Sequence, residues 1–260
     1  MRGKLSSEDA PHLQEDFRRR EFRAAQVRLL YSSVDVGVIA MLIGTTVLAW
    51  LQWPVISHRT ILIWWSYTFS VALARFTLGR GYWHTIRSTT PAEWWGWAYS
   101  IVVGLAGAGW GAAGLWLYPK DHLENQVFLV FILGGMMLGA ASLLAARIEA
   151  FVAFMLPTGV APTLSLLLQG DDAHIAMGAM AGVFVVATLI TTWRVHLTII
   201  SGLSLRFENQ DLVEHLQAAK DQTEKLNEKL EERIRERTAE LQKSAEQLMA
   251  EMKHREQIEE

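Results

Sequence analysis

The chain contains no cysteine among its 260 residues, which excludes two kinds of site. Neither a disulfide framework nor a thiolate-bound metal centre can form, and cysteine usage gives no clue to the redox compartment. Common catalytic motifs are missing as well: there is no Walker-type Gly-Lys-Ser/Thr loop, dinucleotide-binding fingerprint, zinc-protease helix or nucleophile elbow. The sequence therefore assigns no catalytic activity to these residues.

Charged residues are scarce between Leu29 and Trp193, whereas about half of all Asp, Glu, Lys and Arg follow residue 205. The formal net charge of −3 averages over these two parts and says little about partners. After residue 205 the basic residues are interspersed with acidic ones, which argues against nucleic-acid binding. Composition thus divides the chain into an apolar part and a solvated part.

Six apolar runs are long enough to cross a bilayer core, which needs about 20 mostly apolar residues per helix. The predicted spans are Leu30–Trp50, Ile61–Leu78, Trp94–Leu117, Val127–Ala146, Phe151–Leu168 and Ile175–Trp193. The first run follows about 28 polar residues and has no small-residue cleavage site, so we expect it to remain in the mature protein. The predicted fold is all-α, a six-span transmembrane bundle followed by a long cytoplasmic helix that forms a parallel coiled coil.

Lys and Arg are retained on the cytoplasmic side of membrane proteins, and their distribution predicts the orientation. With a cytoplasmic N-terminus, one side of the membrane receives Arg18, Arg19, Arg20, Arg23, Arg28, Arg80, Arg87, Arg147 and Arg194. The other side receives Asp121, Glu124, Asp171 and Asp172, with Arg59 and Lys120 as basic exceptions. Because the number of spans is even, the charged helix returns to the cytoplasm.

Two prolines, Pro157 and Pro162, interrupt the fifth span, and each removes a backbone donor, so we expect this helix to be kinked or locally open. Most of the eleven Trp residues lie near predicted span ends, as interfacial Trp residues do, but Trp110 lies at mid-span. We predict a pocket for a small apolar ligand beside this span, formed by Trp110, Met136, Met137, Phe154, Met155 and Pro157. The alternative is that these are core side chains.

Two ionisable residues fall within predicted spans, where charge is costly and is by default a functional hypothesis. Asp35 and Arg75 lie at comparable depths near the cytoplasmic ends of spans one and two, and a pairing would neutralise both charges. The alternative is that Arg75 extends to the interface while Asp35 bonds locally.

Three histidines, His58, His122 and His174, fall on the predicted outer face, with aspartates nearby in sequence. Imidazole and carboxylate groups together bind transition metals or sense pH. No His-x-x-His or His-x-x-x-His spacing is present, so ligands would have to converge from separate loops. We therefore predict no metal site and keep these residues as weak candidates.

Glycine pairs at small-xxx-small spacing occur in three spans: Gly107 and Gly111, Gly135 and Gly139, and Gly178 and Gly182. Such spacing lets helix backbones approach closely in a bilayer. Intramolecular packing is the interpretation that we favour over a dimer contact.

Apolar residues after residue 211 recur at alternating steps of four and three, which is a heptad pattern. The predicted dimer seam comprises Leu212, Leu216, Ala219, Thr223, Leu226, Leu230, Leu241, Ala245, Leu248 and Met252. Leu226 and Leu241 are fifteen residues apart, one more than two heptads, so the seam must drift near Arg233–Arg237. This discontinuity either gives the dimer two nearly equivalent packings or marks a passive spacer.

The segment Leu226-Asn-Glu-Lys-Leu-Glu-Glu-Arg-Ile-Arg-Glu-Arg-Thr-Ala-Glu-Leu241, with Met252-Lys-His-Arg-Glu256 after it, resembles the linker helix of bacterial sensor histidine kinases. The six spans with their exit at Leu203-x-Leu-Arg-Phe-Glu-Asn-Gln-Asp-Leu212 are similar to membrane sensor regions of histidine kinases and diguanylate cyclases. The resemblance implies a homodimeric receptor of the bacterial inner membrane with an effector beyond Glu260. ATP and Mg²⁺ would bind only to that kinase core, whose His box, Asn box and ATP lid are absent here, and a response regulator would act downstream.

The predicted organisation is a basic cytoplasmic segment (1–28), a six-helix membrane sensor domain (29–198) and a cytoplasmic signalling helix (199–260). We expect a module that relays a stimulus perceived in the membrane to a histidine kinase core. Two alternatives stay open: the input module of a diguanylate cyclase or phosphodiesterase, and a small-solute transporter or channel with an oligomerising coiled coil. The scarcity of mid-membrane polar groups and of inverted repeats argues against transport.

Overall fold

The structure is a computed structural model that describes the backbone of residues 9–85, 91–119 and 121–259, and the side chains of residues 19–84, 91–119 and 121–249. Every regular element in these ranges is a helix. The helices are α1 (Asp9–Ser32), α2 (Val34–Gln52), α3 (His58–Thr85), α4 (Ala92–Trp116), α5 (Leu123–Leu144), α6 (Ile148–Met155), a π-helical segment (Leu156–Val160), α7 (Ala161–Leu167) and α8 (Asp172–Glu259).

Six helical stretches are long and apolar enough to cross a membrane, as the sequence predicts. They are Arg19–Gln52, His58–His84, Ala92–Trp116, Leu123–Leu144, Ile148–Leu167 and Asp172–Met249. The first combines α1 and α2, which are separated by a turn at Ser33. The fifth combines α6, the π segment and α7, so its backbone departs from α-helical geometry at Pro157, where a proline cannot donate a backbone hydrogen bond.

Helix α4 lies at the centre of the bundle and packs against α3, α6 and the π segment. In its most apolar stretch 56% of the residues are buried, against 17% for α8. Glycines let α4 pack closely here: a Cβ at Gly107 or Gly111 would overlap the carbonyl oxygens of Phe154 and Pro157, respectively. Two helix backbones therefore meet without intervening side chains.

The chain divides into two compact units, residues 1–204 and residues 205–260, and the division falls inside α8. The predicted boundary lay a few residues earlier, between 198 and 199. Of the predicted basic segment, residues 1–8 lie outside the described part of the chain, and the remainder belongs to helix α1.

Candidate functional site

An apolar groove of about 600 Å³ lies between α5, the π segment with α7, and the first part of α8. Its walls consist almost entirely of hydrocarbon and thioether groups, supplied mainly by Phe131, Met137, Met177, Met180 and Phe184. Thr158 and Thr163 also line the groove, but their hydroxyls donate to backbone carbonyls within the kinked helix. The groove therefore offers a binding surface for hydrocarbon and little else.

Only one of the six predicted ligand residues, Met137, lines this groove. Trp110 is fully buried and meets Trp64 edge to face at 5.7 Å between ring centroids. Phe154 and Pro157 belong to the contact between the fifth span and α4, and Met155 is fully buried. Met136 lies with Trp110 beside Gly44 of α2, and a Cβ there would be 3.3 Å from the Met136 sulfur. The predicted residues lie on α4, α5, α6 and the π segment, whereas the groove is lined by α5, the π segment, α7 and α8. A ligand at the predicted residues stays a prediction.

A polar group lies beside one end of the groove, where α4 and α7 end and α8 begins; we call this the acidic end. The rings of Tyr118 and His174 are in contact, with centroids 5.9 Å apart. Nδ1 of His174 pairs with the Asp171 carboxylate. Nε2 of His174 is buried without a hydrogen-bond partner, whereas the Tyr118 hydroxyl meets the side chain of Gln169.

Burial raises the pKa of the Tyr118 phenol above its ordinary value, and the approach of the Gln169 side chain opposes only part of this rise. The negative charge of Asp171 adds to the increase. Tyr118 is therefore a protonated hydrogen-bond donor at neutral pH.

Arg75 is buried deep in the opposite half of the bundle, with 6% of its surface exposed. Its Nη2 and Nε both donate to the Tyr99 hydroxyl, at 2.6 and 3.1 Å. Gly37 leaves room for the guanidinium, because a Cβ there would lie 2.8 Å from Cζ of Arg75. Asp35 is exposed and lines a separate groove between α2 and α3, together with Arg80. The structure thus gives Arg75 a phenol as its partner in place of the predicted carboxylate.

The three predicted outer histidines do not converge. His58 stacks on Trp53 at 4.2 Å between centroids, His122 directly precedes α5, and His174 pairs with Asp171. Among the described residues, no three His, Asp or Glu side chains are placed to hold a metal ion.

Helix α8 is attached to the bundle through a few close contacts. Nδ1 of His196 lies 2.7 Å from the carbonyl oxygen of Ala145, and both residues are buried. Gly159 of the π segment faces Val185, and a Cβ added at Gly159 would lie 2.9 Å from that side chain. A Cβ added at Gly178 would lie 2.8 Å from the side chain of Leu167. The helix that continues beyond the bundle thus rests on the kinked fifth span, beside the groove.

The predicted dimer seam is a line of exposed side chains along α8. Leu226 and Leu230 are each 54% exposed, and Leu241 is 71% exposed. Leu212, Leu216, Ala219, Thr223, Ala245 and Leu248 are not buried either, whereas the side chain of Met252 lies outside the described residues. Lys220 and Glu224, and Arg235 and Glu231, form i,i+4 ion pairs beside the seam. A single chain therefore leaves this apolar line uncovered.

Sequence reasoning missed the residues of α8 that line the groove and the polar pair at its acidic end. Met177, Met180 and Phe184 recur at three and four residues, the spacing of one helix face. That signal was visible in the sequence. The closeness of Tyr118 and His174 was not visible in the sequence, because only the packing of α4 against α7 and α8 brings the two residues together.

Comparison of the chain with protein-family models, with curated proteins and with solved structures found no match.

Proposed function

We propose that this chain is the membrane sensor and signal-transmission module of a two-component histidine kinase, located in the bacterial inner membrane with both termini in the cytoplasm. The observation that supports it most is that α8 begins as a membrane-spanning candidate and runs on, as one helix, to Glu259. A displacement of its membrane part is transmitted along such a helix because its backbone hydrogen bonds are continuous.

The small buried share of α8 favours the interpretation that this helix moves during signalling over the interpretation that it is a fixed scaffold. Switching elements are drawn from regions with few buried contacts, because those regions cost least to rearrange. Helix α8 has the smallest buried share among the six candidate spans, and it lies against a groove and a π-helical turn. Its position is therefore the variable that a stimulus in the membrane would change.

The exposed seam of α8 favours a homodimer. A row of leucines in water is stabilised by burial against an equivalent row, as in a parallel coiled coil. The fifteen-residue step between Leu226 and Leu241 prevents one ideal packing over the full length. Two packings of similar energy are the two states that a sensor needs. In this proposal ATP and Mg²⁺ bind to a kinase core beyond Glu260, which phosphorylates a response regulator.

A phase scan tests the transmission role. Residues 1–260 are joined to the dimerisation and catalytic core of a histidine kinase through zero to seven inserted helical residues, and autophosphorylation is measured in membrane vesicles. Each inserted residue rotates the core by about 100°. We expect kinase activity to rise and fall along the series and to return to its initial value after seven residues. The reason is that the seam fixes the rotational position of the kinase core about the helix axis.

The control series carries Gly-Gly-Pro directly after Glu260, which uncouples the helix and should remove the periodicity. Equal activity in every phase of the continuous series contradicts transmission. Uptake of a solute by vesicles that hold the unfused chain would support the transporter alternative instead.

A further inference from the structure

A second groove, with a volume of about 510 Å³, runs between α2 and α3. Most of its lining is hydrocarbon, and the side chains that supply it are Val38, Ile39, Leu42, Phe69, Leu73 and Phe76. Ile39 is 57% exposed and Leu73 is 54% exposed, so the groove opens away from the protein. When α2 and α3 cross a bilayer, this groove faces lipid.

Two charged side chains, Asp35 and Arg80, lie in the same groove. Their level is set by the contact of α2 with α3, where a Cβ at Gly79 would be 2.8 Å from Cγ1 of Val34. Asp35 and Arg80 directly follow this facing pair on the two helices. The guanidinium of Arg80 lies over the ring of Phe76, with Cζ 4.9 Å from the ring centroid. A carboxylate and a guanidinium therefore share one end of an apolar groove.

The protein itself neutralises neither charge. In the described part of the chain, Asp35 and Arg80 form no hydrogen bond or ion pair, and the ring of Phe76 carries no net charge. Arg75, the other arginine close to α2, donates to the Tyr99 hydroxyl instead. Charged groups beside hydrocarbon are stabilised by a counter-charge. The groove therefore has places for one anionic and one cationic group.

The two charges select a zwitterionic head group. A guanidinium binds phosphate through charge-assisted hydrogen bonds, and the Asp35 carboxylate accepts such bonds from a primary ammonium group. An anionic phospholipid satisfies Arg80, but Asp35 repels its net charge. A quaternary ammonium has no N–H to donate and is bound by open aromatic faces, whereas Arg80 already covers Phe76. Ethanolamine phosphate is the head group that satisfies both residues.

The lining argues against a helix of a second copy as the occupant. Helix contacts in bilayers use small residues, which let two backbones approach. Among the described residues that line this groove none is glycine, and only Ala72 is small. The volume lies within the roughly 300–1,000 Å³ that is typical of small-ligand sites. A flexible acyl chain fits between the bulky side chains better than a second helix does.

We propose that the groove between α2 and α3 binds phosphatidylethanolamine, with its phosphate on Arg80, its ammonium group on Asp35 and one acyl chain along Ile39 and Leu73. The inference goes beyond the signalling role proposed above and requires only that α2 and α3 lie in a membrane. Binding is therefore measured without a kinase core, and its outcome is independent of the phase scan.

The test uses the full chain in phosphatidylcholine nanodiscs that contain a trace of a phospholipid with a diazirine in the middle of one acyl chain. Probes with ethanolamine, choline and glycerol head groups share this acyl chain. After photolysis, mass spectrometry quantifies the labels on peptides of α2 and α3. We expect the ethanolamine probe to label the groove about threefold more than either other probe, which is the effect of one partly exposed ion pair.

Asp35→Asn should lower labelling by the ethanolamine probe to the level of the choline probe, because the two head groups then share only the phosphate contact. It should also raise labelling by the glycerol probe, since the repulsion of an anionic head is removed. Arg80→Gln should lower labelling by all of the probes. Arg59→Gln is the matched control at the other end of α3. Arg59 is exposed and does not line the groove, so its labelling should equal that of the unmodified chain.

Ile39→Trp should remove groove labelling by every probe, because the larger side chain fills the space of the acyl chain. Its control is Ile43→Trp, one turn further along α2. Ile43 is 59% exposed and lies outside the groove lining, so this variant should label as the unmodified chain does.

Equal groove labelling by the ethanolamine, choline and glycerol probes would overturn the proposal. So would labelling that survives Ile39→Trp. If Asp35→Asn lowers labelling by all of the probes to the same extent, Asp35 shapes the groove without contacting a head group, and the proposal fails. A disulfide between two copies of Leu73→Cys, together with no groove labelling by any probe, would show that a helix of a second copy occupies the groove instead.

Discussion

The buried guanidinium of Arg75 is the clearest feature at the scale of single residues. A cation in a bilayer core needs hydrogen-bond acceptors, because the surrounding hydrocarbon provides none. Tyr99 supplies one oxygen to two guanidinium N–H groups, and Gly37 supplies the space. Tyr99 is itself fully buried against the ring of Tyr31, at 5.0 Å between centroids. Arg75, Tyr99 and Gly37 thus join α3, α4 and α2.

Tyr99→Phe should therefore destabilise the protein by about 2 kcal/mol, since a hydrogen bond to a charged group is lost and the charge stays buried. SDS unfolding in mixed micelles, followed by circular dichroism, measures this. The control is Tyr67→Phe, because the Tyr67 hydroxyl donates to the Leu105 carbonyl from a side chain that is 39% exposed. Its loss should cost less than about 1 kcal/mol. Equal losses in the two variants would show that Tyr99 has no special role.

At the scale of the helices, the three glycine pairs have three different surroundings. Gly107 and Gly111 let α4 touch the backbone of the fifth span. Gly178 faces Leu167, and a Cβ at Gly182 would be 3.8 Å from Thr163. Gly135 and Gly139 of α5 have open space around them. Equal spacing in sequence thus corresponds to backbone contact at Gly107 and Gly111, to one tight and one ordinary contact at Gly178 and Gly182, and to an open surface at Gly135 and Gly139. Spacing alone does not show which face meets a neighbour.

Gly107→Ala should destabilise the bundle by about 1–3 kcal/mol, because its Cβ overlaps backbone atoms that cannot move independently. Gly135→Ala should leave stability unchanged or raise it by about 0.5 kcal/mol, since the methyl group enters open space and restricts the unfolded chain. Thermal unfolding of the two variants in one detergent gives the comparison. A Gly107→Ala protein as stable as Gly135→Ala would mean that α4 and the fifth span are further apart.

At the scale of the whole molecule, the apolar line along α8 is the feature that one chain leaves incomplete. Its leucines are more than half exposed. The other five candidate spans each bury a larger share of their residues than α8 does. A second copy of α8, packed in parallel, would bury this line against an identical line of leucines. The proposed homodimer follows from that exposure.

Leu226→Cys should form a disulfide between two copies in membranes under mild oxidation, because residue 226 occupies the seam. The chain has no other cysteine, so the crosslinked species is identified by size on a non-reducing gel. Glu228→Cys, two residues away on the opposite face, is equally accessible in one chain and should not crosslink. Crosslinking of both variants to the same extent would indicate random collision. Crosslinking of neither variant would contradict the proposed dimer.

The sequence predicted the six helices that are long and apolar enough to cross a membrane, because twenty apolar residues in a row have no other stable place than a bilayer or a core. It also predicted an interruption of the fifth span at Pro157 and Pro162, since the missing backbone donor is a property of the residue itself. The backbone departs from α-helical geometry at Pro157, whereas Pro162 lies in the first turn of α7. The partner of Arg75 and the lining of the groove were not predictable in this way. Both depend on which helix faces meet, and several arrangements of six apolar helices satisfy the same hydropathy pattern.

By itself, then, the sequence determined what is local: helical spans, breaks at proline, a charged helix with a heptad line, and the absence of cysteine chemistry. Tertiary structure decided what arises between helices: the phenol beside Arg75, the contact of α4 with the kinked span, and the ring contact of Tyr118 with His174. The physical reason is that hydrophobicity and backbone chemistry act within a segment. Cavities and buried polar pairs are instead set by close packing between segments.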